Sequence, residues 1–119
     1  MNNEKNKQRK WVREEVVILV TEYFKNKNLS VEEIKCSYYK ISKFLRAREE
    51  FLTGRKVPDI FRNYAGICMQ SARIQSLDPD ATLNGMQGTK LQKEVVKEFL
   101  FNPNAMYLEA EEIYKKYQK

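Results

Sequence analysis

The strongest constraint on the fold of this chain is an apolar spacing of three and four residues, repeated in five segments and punctuated by capping residues. In the first segment Val12, Val16, Leu19, Val20 and Tyr23 follow this spacing, with Trp11 and Phe24 beside them. Such a period lines up side chains on one face of a helix. The run Val16-Val17-Ile18-Leu19-Val20 is rich in β-branched residues and would also suit a strand. The flanking Glu14-Glu15 and Glu22, and the sustained helical period, favour a helix beginning at Arg9. Asn26-Lys27-Asn28 breaks it.

Ser30 and Glu33 then have the spacing of a capping box, which satisfies two free backbone donors at a helix start. Ile34, Tyr38, Ile41 and Leu45 form the apolar stripe of this second helix, and Phe51 and Leu52 are expected to close the core beneath the following turn. Thr53-Gly54-Arg55-Lys56-Val57-Pro58 reads as a loop. A third helix is expected from Asp59 or Asn63 to Leu77, with Tyr64, Ile67, Ser71 and Ile74 inward. Asp78-Pro79 ends it, because proline disfavours helical geometry in the residue before it. Residues 78–88 form a long loop. Thr89 and Gln92 repeat the capping box and open a fourth helix to about Phe101, burying Leu91, Val95 and Phe99. Asn102-Pro103 is a cap followed by proline at the first helical position, and the last helix buries Met106, Ala110, Ile113 and Tyr117. The expectation is an all-α fold: a disordered tail over 1–8, then a single domain over 9–119. It has about five helices and a helix-turn-helix-like pair in the middle.

A chain of 119 residues has the size of one domain and can bury one core. No apolar run approaches the ~20 residues of a membrane span, and the polar N-terminus lacks the apolar stretch of a signal peptide. A cytoplasmic location without membrane contact is therefore expected. Cys36 and Cys68 read as reduced, semi-buried thiols. The sequence contains no histidine, which removes the commonest general base and the commonest zinc partner. Two isolated cysteines cannot build a structural zinc site. Glu33-Ile34-Lys35 precedes Pro58-Asp59, the reverse of the order in carboxylate-based metal nucleases. Gly85 and Gly88 are too sparse for a phosphate loop. The pairs Glu14-Glu15, Glu49-Glu50 and Glu111-Glu112 read as solvated helix faces. The expectation is a non-enzymatic chain with no cofactor and no metal.

Charge points elsewhere. The formal net charge is +6. Residues 1–62 hold fifteen Lys/Arg against nine Asp/Glu, whereas residues 63–119 hold seven of each, so the excess lies in the first half. A polyanion is the natural partner for such an excess, although solubility alone can account for it. On the third helix Asp59, Asn63, Gly66, Gln70 and Arg73 recur at helical spacing. Arg suits guanine edges, and Asn or Gln suits adenine edges, so Asn63, Gln70 and Arg73 are candidate base-facing residues. Lys40, Lys43, Arg46, Arg55, Lys56 and Arg62 are candidate phosphate contacts. A basic helix, a turn and a helix with a mixed polar face make a helix-turn-helix-like arrangement. Its turn is longer than usual. The same residues would also fit an ordinary solvated face.

At these residues the chain resembles the N-terminal helical domain that precedes HNH-type nuclease domains in bacterial restriction-like proteins. The resemblance rests on Trp11, Tyr23-Phe24, Arg62-Asn63, Gly66-Ile67, Ser76-Leu77-Asp78-Pro79, Gly85, Gly88, Glu98-Phe99 and Asn102-Pro103. It covers roughly residues 10–115. It implies a role in targeting DNA, including modified DNA, beside a nuclease domain or subunit. The chain departs from that family in two ways. Without histidine it cannot supply an HNH motif, and Gln70 and Arg73 stand where the family favours Lys and Asn.

Three readings stay open. The first is a double-stranded DNA-binding module with the third helix as recognition element. The second is a protein-interaction module of a defence or mobile-element system that touches no DNA; a contiguous patch of Tyr38, Tyr39, Tyr107 and Tyr114 would favour it. The third, an RNA binder, lacks the aromatic sheet platform of the common RNA modules.

Overall fold

A computed structural model describes residues 8–82 and 84–118. Five helices follow one another: α1 (Arg13–Asn26), α2 (Val31–Thr53), α3 (Tyr64–Gln75), α4 (Lys90–Phe101) and α5 (Pro103–Tyr117). The described residues contain no strand. The all-helical expectation is met, and α1 explains the ambiguous valine run. It packs against all four other helices, with α2 and α3 paired with each other and α4 paired with α5. Val16, Val17, Ile18, Leu19 and Val20 are all fully buried. A helix enclosed on every side needs no polar face, so five consecutive apolar residues are compatible with helix here. Around it, Ile41, Leu45, Ile67, Ile74, Val95, Val96, Phe99, Met106, Ala110 and Ile113 complete a single core.

The helix starts follow the predicted chemistry. Ser30 Oγ accepts the Glu33 N–H at 3.2 Å while Glu33 Oε1 accepts the Ser30 N–H at 3.2 Å. Thr89 and Gln92 repeat the exchange, and the Asn102 side chain caps α5 ahead of Pro103. α2 stops at Gly54, which takes φ +69° and donates its N–H to the Glu50 carbonyl at 2.8 Å. This left-handed cap is cheap only for glycine. Gly88 has a different cause. A Cβ there would lie 2.5 Å from Leu77 Cδ1, so any larger residue would have to displace the Leu77 side chain just beyond α3.

Several expectations are corrected. α1 begins at Arg13 rather than Arg9, because Glu15 Oε1 accepts the Val12 N–H and fixes the first turn there. Gln8 does not belong to a loose tail: its amide donates to the Ile60 carbonyl at 2.7 Å. The remaining tail residues, 1–7, lie outside the described residues. Phe51 and Leu52 do not close the core but stay about half exposed on the last turn of α2, with the Phe51 ring meeting Tyr117 edge-on. Leu91 and Tyr117 sit half-buried at the edge of the core. Cys36 is exposed, and only Cys68 is semi-buried; both are free thiols.

Glu15 overturns the reading of Glu14-Glu15 as a solvated pair. It is fully buried. Its carboxylate receives Arg62 through Nε at 2.9 Å and Nη2 at 3.1 Å, and Arg9 through Nη1 at 3.0 Å and Nη2 at 2.9 Å. The Arg62 guanidinium lies between the rings of Trp11 and Phe61, 4.4 Å from each centroid. Arg62 also holds the Arg9 carbonyl and the Gln8 side chain. Arg9 extends the network to Glu49. Arg62 has φ +46°, a costly backbone state for a non-glycine residue. Its guanidinium contacts and the Ser42 hydroxyl, which donates to its carbonyl at 2.7 Å, hold it there. Nearby, Glu14 accepts from Arg48, Tyr117 and Lys116, tying α1 to α2 and α5.

This network has a pH signature. Burial pushes Glu15 up, but the bonds from Arg62 and Arg9 outweigh it and hold the carboxyl below its ordinary range. Burial likewise opposes ionisation of Glu14, yet Lys116, Tyr117 and Arg48 bring it down to about 2. Asp78 is lowered against its burial by Lys27, the Asp80 N–H and Tyr23. Carboxyls lowered by folding stabilise the native state above their unfolded pKa, and that contribution is lost as pH falls through the folded pKa. The urea midpoint is therefore expected to hold steady from pH 7 down to about 4.5, the ordinary Glu value, and to fall steeply between there and about pH 2. A midpoint unchanged at pH 3 would show that these pairs do not stabilise the fold.

Candidate nucleic-acid interface

α2 carries the cations that the core leaves outside. Lys40 and Lys43 are three residues apart, which makes them neighbours on a helix surface. Both are exposed, as is Lys35 one to two turns earlier. Beyond Gly54, Arg55 and Lys56 project from an exposed loop. Among the described residues, none of these five forms an ion pair with an acidic side chain. Other cations do. Arg9 and Arg62 meet Glu15, Arg13 bridges Glu98 and Glu109, Arg48 and Lys116 meet Glu14, and Lys27 meets Asp78. The structure thus keeps Lys35, Lys40, Lys43, Arg55 and Lys56 as a set of free charges on one helix and the loop that leaves it.

Two of the predicted phosphate contacts do not belong to that set. Arg62 is 2% exposed and committed to Glu15, so it cannot reach a phosphate on the surface. Arg46 is half-buried, and its Nη1 donates to the carbonyls of Pro58 at 3.0 Å and Phe61 at 2.6 Å. It acts as a clamp on the turn before α3.

The predicted base readers are also engaged within the fold. Asn63 is the N-cap of α3: its Oδ1 accepts the Gly66 N–H at 2.9 Å. The helical spacing of Asn63 and Gly66 therefore has a local cause. Gln70 accepts from Gln92 Nε2 at 2.7 Å, linking α3 to the start of α4. Arg73 donates through Nη1 to the Gln87 carbonyl at 2.7 Å, and Asn84 reaches back to the Ala72 carbonyl at 2.9 Å. The loop over 84–88 thus lies along the polar side of α3, and Gln70 and Arg73 fasten what covers it. Both are half-buried. The helix-turn-helix likeness of α2 and α3 does not extend to an open recognition face.

The tyrosines do not assemble as one patch. Tyr39 stacks on Tyr64 at 4.2 Å between α2 and α3, Tyr107 meets Phe99, and Tyr114 meets Phe44 and donates to Glu22. Two surface features escaped the sequence reading. Lys90, Lys93 and Lys97 are exposed along α4 at intervals of three and four residues, a spacing that was legible but masked by the neutral total of that half. Leu100 and Phe101 at the end of α4 and Leu108 on α5 are exposed, Phe101 to 90%.

A cavity of about 330 Å³ opens between the end of α1, the first half of α2, α3 and the turn at 78–81. Among the described residues, no group of three or more acidic, Cys or His side chains converges as a metal site would require. No described helix is long and apolar enough to cross a membrane. No protein-family model, no curated protein and no solved structure matches this chain.

Proposed function

We propose that this chain is a non-enzymatic module that binds double-stranded DNA through the phosphate backbone, with Lys40, Lys43, Arg55 and Lys56 as the contacts. The observation that carries this reading is the unpaired cationic charge along α2 and the loop after it, a state shared by exposed lysines elsewhere such as Lys25, Lys90, Lys93 and Lys97. The arginines of the core network are matched by carboxylates, while these four cations on α2 and its following loop are left without acidic partners. Unpaired cations release counterions from DNA on binding, and that release is the main source of sequence-independent affinity. With Asn63, Gln70 and Arg73 occupied inside the fold, α3 is a support for the basic helix rather than a reader of bases. The resemblance to the helical domains that precede HNH nucleases agrees with this role, with bacterial restriction as the setting and a nuclease domain or subunit as the companion.

The test is duplex binding by fluorescence anisotropy over a series of salt concentrations. Four phosphate contacts at roughly 0.9 each give an expected log–log slope of about −3.6, with little preference among sequences. Absence of binding at low salt, or binding indifferent to salt, would refute the reading.

One observation favours a second reading. Leu100, Phe101 and Leu108 are exposed large hydrophobics on α4 and α5, of the kind that a protein partner covers. Such a contact would attach the module to its nuclease and leave the α2 face free.

A further inference from the structure

The cavity beside α3 has features that the DNA reading does not use. Its walls are partly apolar, from Ile34 and Ile41, and partly aromatic, from Tyr23 and Tyr38. Its volume of about 330 Å³ falls at the lower end of the range of small-molecule sites. Ser71 lines it from α3, 2% exposed, with its hydroxyl beside Tyr38.

Charge decides what could fill the space. Among the described lining residues there are three carboxylates, Glu22, Asp78 and Asp80, against one cation, Lys27. Lys27 Nζ sits 2.8 Å from Asp78 and neutralises it. Glu22 receives only neutral donors, Asn26 Nδ2 at 3.0 Å and the Tyr114 hydroxyl at 3.0 Å, so its charge is not cancelled by an ion pair. A cavity with surplus negative charge inside a protein of net charge +6 disfavours phosphates and other anions. It suits a ligand whose body is apolar or aromatic and whose polar end is a cationic N–H group, which both carboxylates and tyrosine faces attract.

We infer that this cavity is a binding site for a small organic amine, its cation held toward Glu22 and its body among Ile34, Ile41 and Tyr38. The inference is independent of the α2 face.

Three matched probes test it by amide NMR titration of the whole chain: benzylamine, benzyl alcohol and benzoate. Benzylamine is expected to give saturable shifts at Tyr38, Cys68, Ser71 and Ala72, with a dissociation constant on the order of 1 mM, as befits a fragment-sized ligand. Benzyl alcohol should bind at least several-fold more weakly, and benzoate should not bind. Glu22→Gln keeps the acceptor for Tyr114 and should erase the preference for benzylamine over benzyl alcohol. Ala72→Leu, which fills the cavity from α3, should abolish binding. Should that variant fail to fold, the smaller filling change Ala72→Val provides the alternative and should weaken benzylamine several-fold. No saturable shift at the cavity residues, equal binding of benzoate, or a benzylamine preference retained in Glu22→Gln would each overturn the assignment.

Discussion

Glu15→Ala is expected to lower the folding free energy by about 3–5 kcal/mol, because it leaves the Arg62 guanidinium buried without its counter-charge. Total stabilities of single domains are only about 5–15 kcal/mol, so the variant should sit near the edge of unfolding at room temperature. The loss has two sources. Arg62 and Arg9 both lose a carboxylate, and the Val12 N–H loses the acceptor that starts α1. The N-terminal segment 8–12, held through Arg62 and Arg9, should detach and expose Trp11. Urea unfolding followed by Trp11 fluorescence measures both effects, since it is the single tryptophan of the chain. Glu111→Ala serves as the control; Glu111 is exposed on α5, and such changes usually stay within about 0.5 kcal/mol. Replacing both Glu15 and Arg62 with Met should cost less than the sum of the two single replacements, because no buried charge is then stranded. A Glu15→Ala protein within about 1 kcal/mol of the parent would show that packing of Trp11 and Phe61, rather than the ion pair, holds this end of the molecule.

Neutralising Lys40, Lys43, Arg55 and Lys56 together is expected to abolish measurable duplex binding. Sequence-independent DNA binding has dissociation constants of about 10⁻⁴–10⁻⁶ M at physiological salt, and its free energy comes from phosphate contacts. Removing the four proposed contacts removes that source, and binding that persists would place the contacts on the other exposed lysines, Lys35 or Lys90, Lys93 and Lys97. Lys43→Ala alone should weaken every duplex about equally and make the salt slope shallower by about one unit. Arg73→Ala should leave the salt slope unchanged, because that side chain holds the Gln87 carbonyl. Its expected effect is faster amide exchange in the 84–88 loop. The contrast separates the two helices. If Arg73→Ala instead relaxes sequence preference while Lys43→Ala does nothing, the loop must open to expose α3 and the base-reading role returns to it. Because all four cations are exposed, the quadruple variant should fold as the parent does, and its circular dichroism should be unchanged.

How much of this was legible in advance can be judged residue by residue. The helices were, because their signals are local. Ser30 with Glu33, Thr89 with Gln92, and Asn102 before Pro103 are pairs within one helical turn, and their hydrogen bonds form as soon as the turn does. The apolar stripes of α2, α4 and α5 likewise lie on single helices. The absence of histidine and the unequal charge of the two halves were also available from the residues alone. What the sequence could not assign was partnership between distant segments. Glu15 and Arg62 are separated by 47 positions, and Arg73 and Gln87 by 14. A charged or amide side chain looks the same in sequence whether it faces solvent or a partner, and the difference depends on which helix lies across from it. The Arg, Asn and Gln of α3 suited base edges for the same reason that they suit backbone carbonyls and amides: their donors and acceptors are generic. Only packing decided the outcome. It enclosed α1 on all sides, laid the 84–88 loop along α3, buried Arg62 between two rings, and left the lysines of α2 in the solvent.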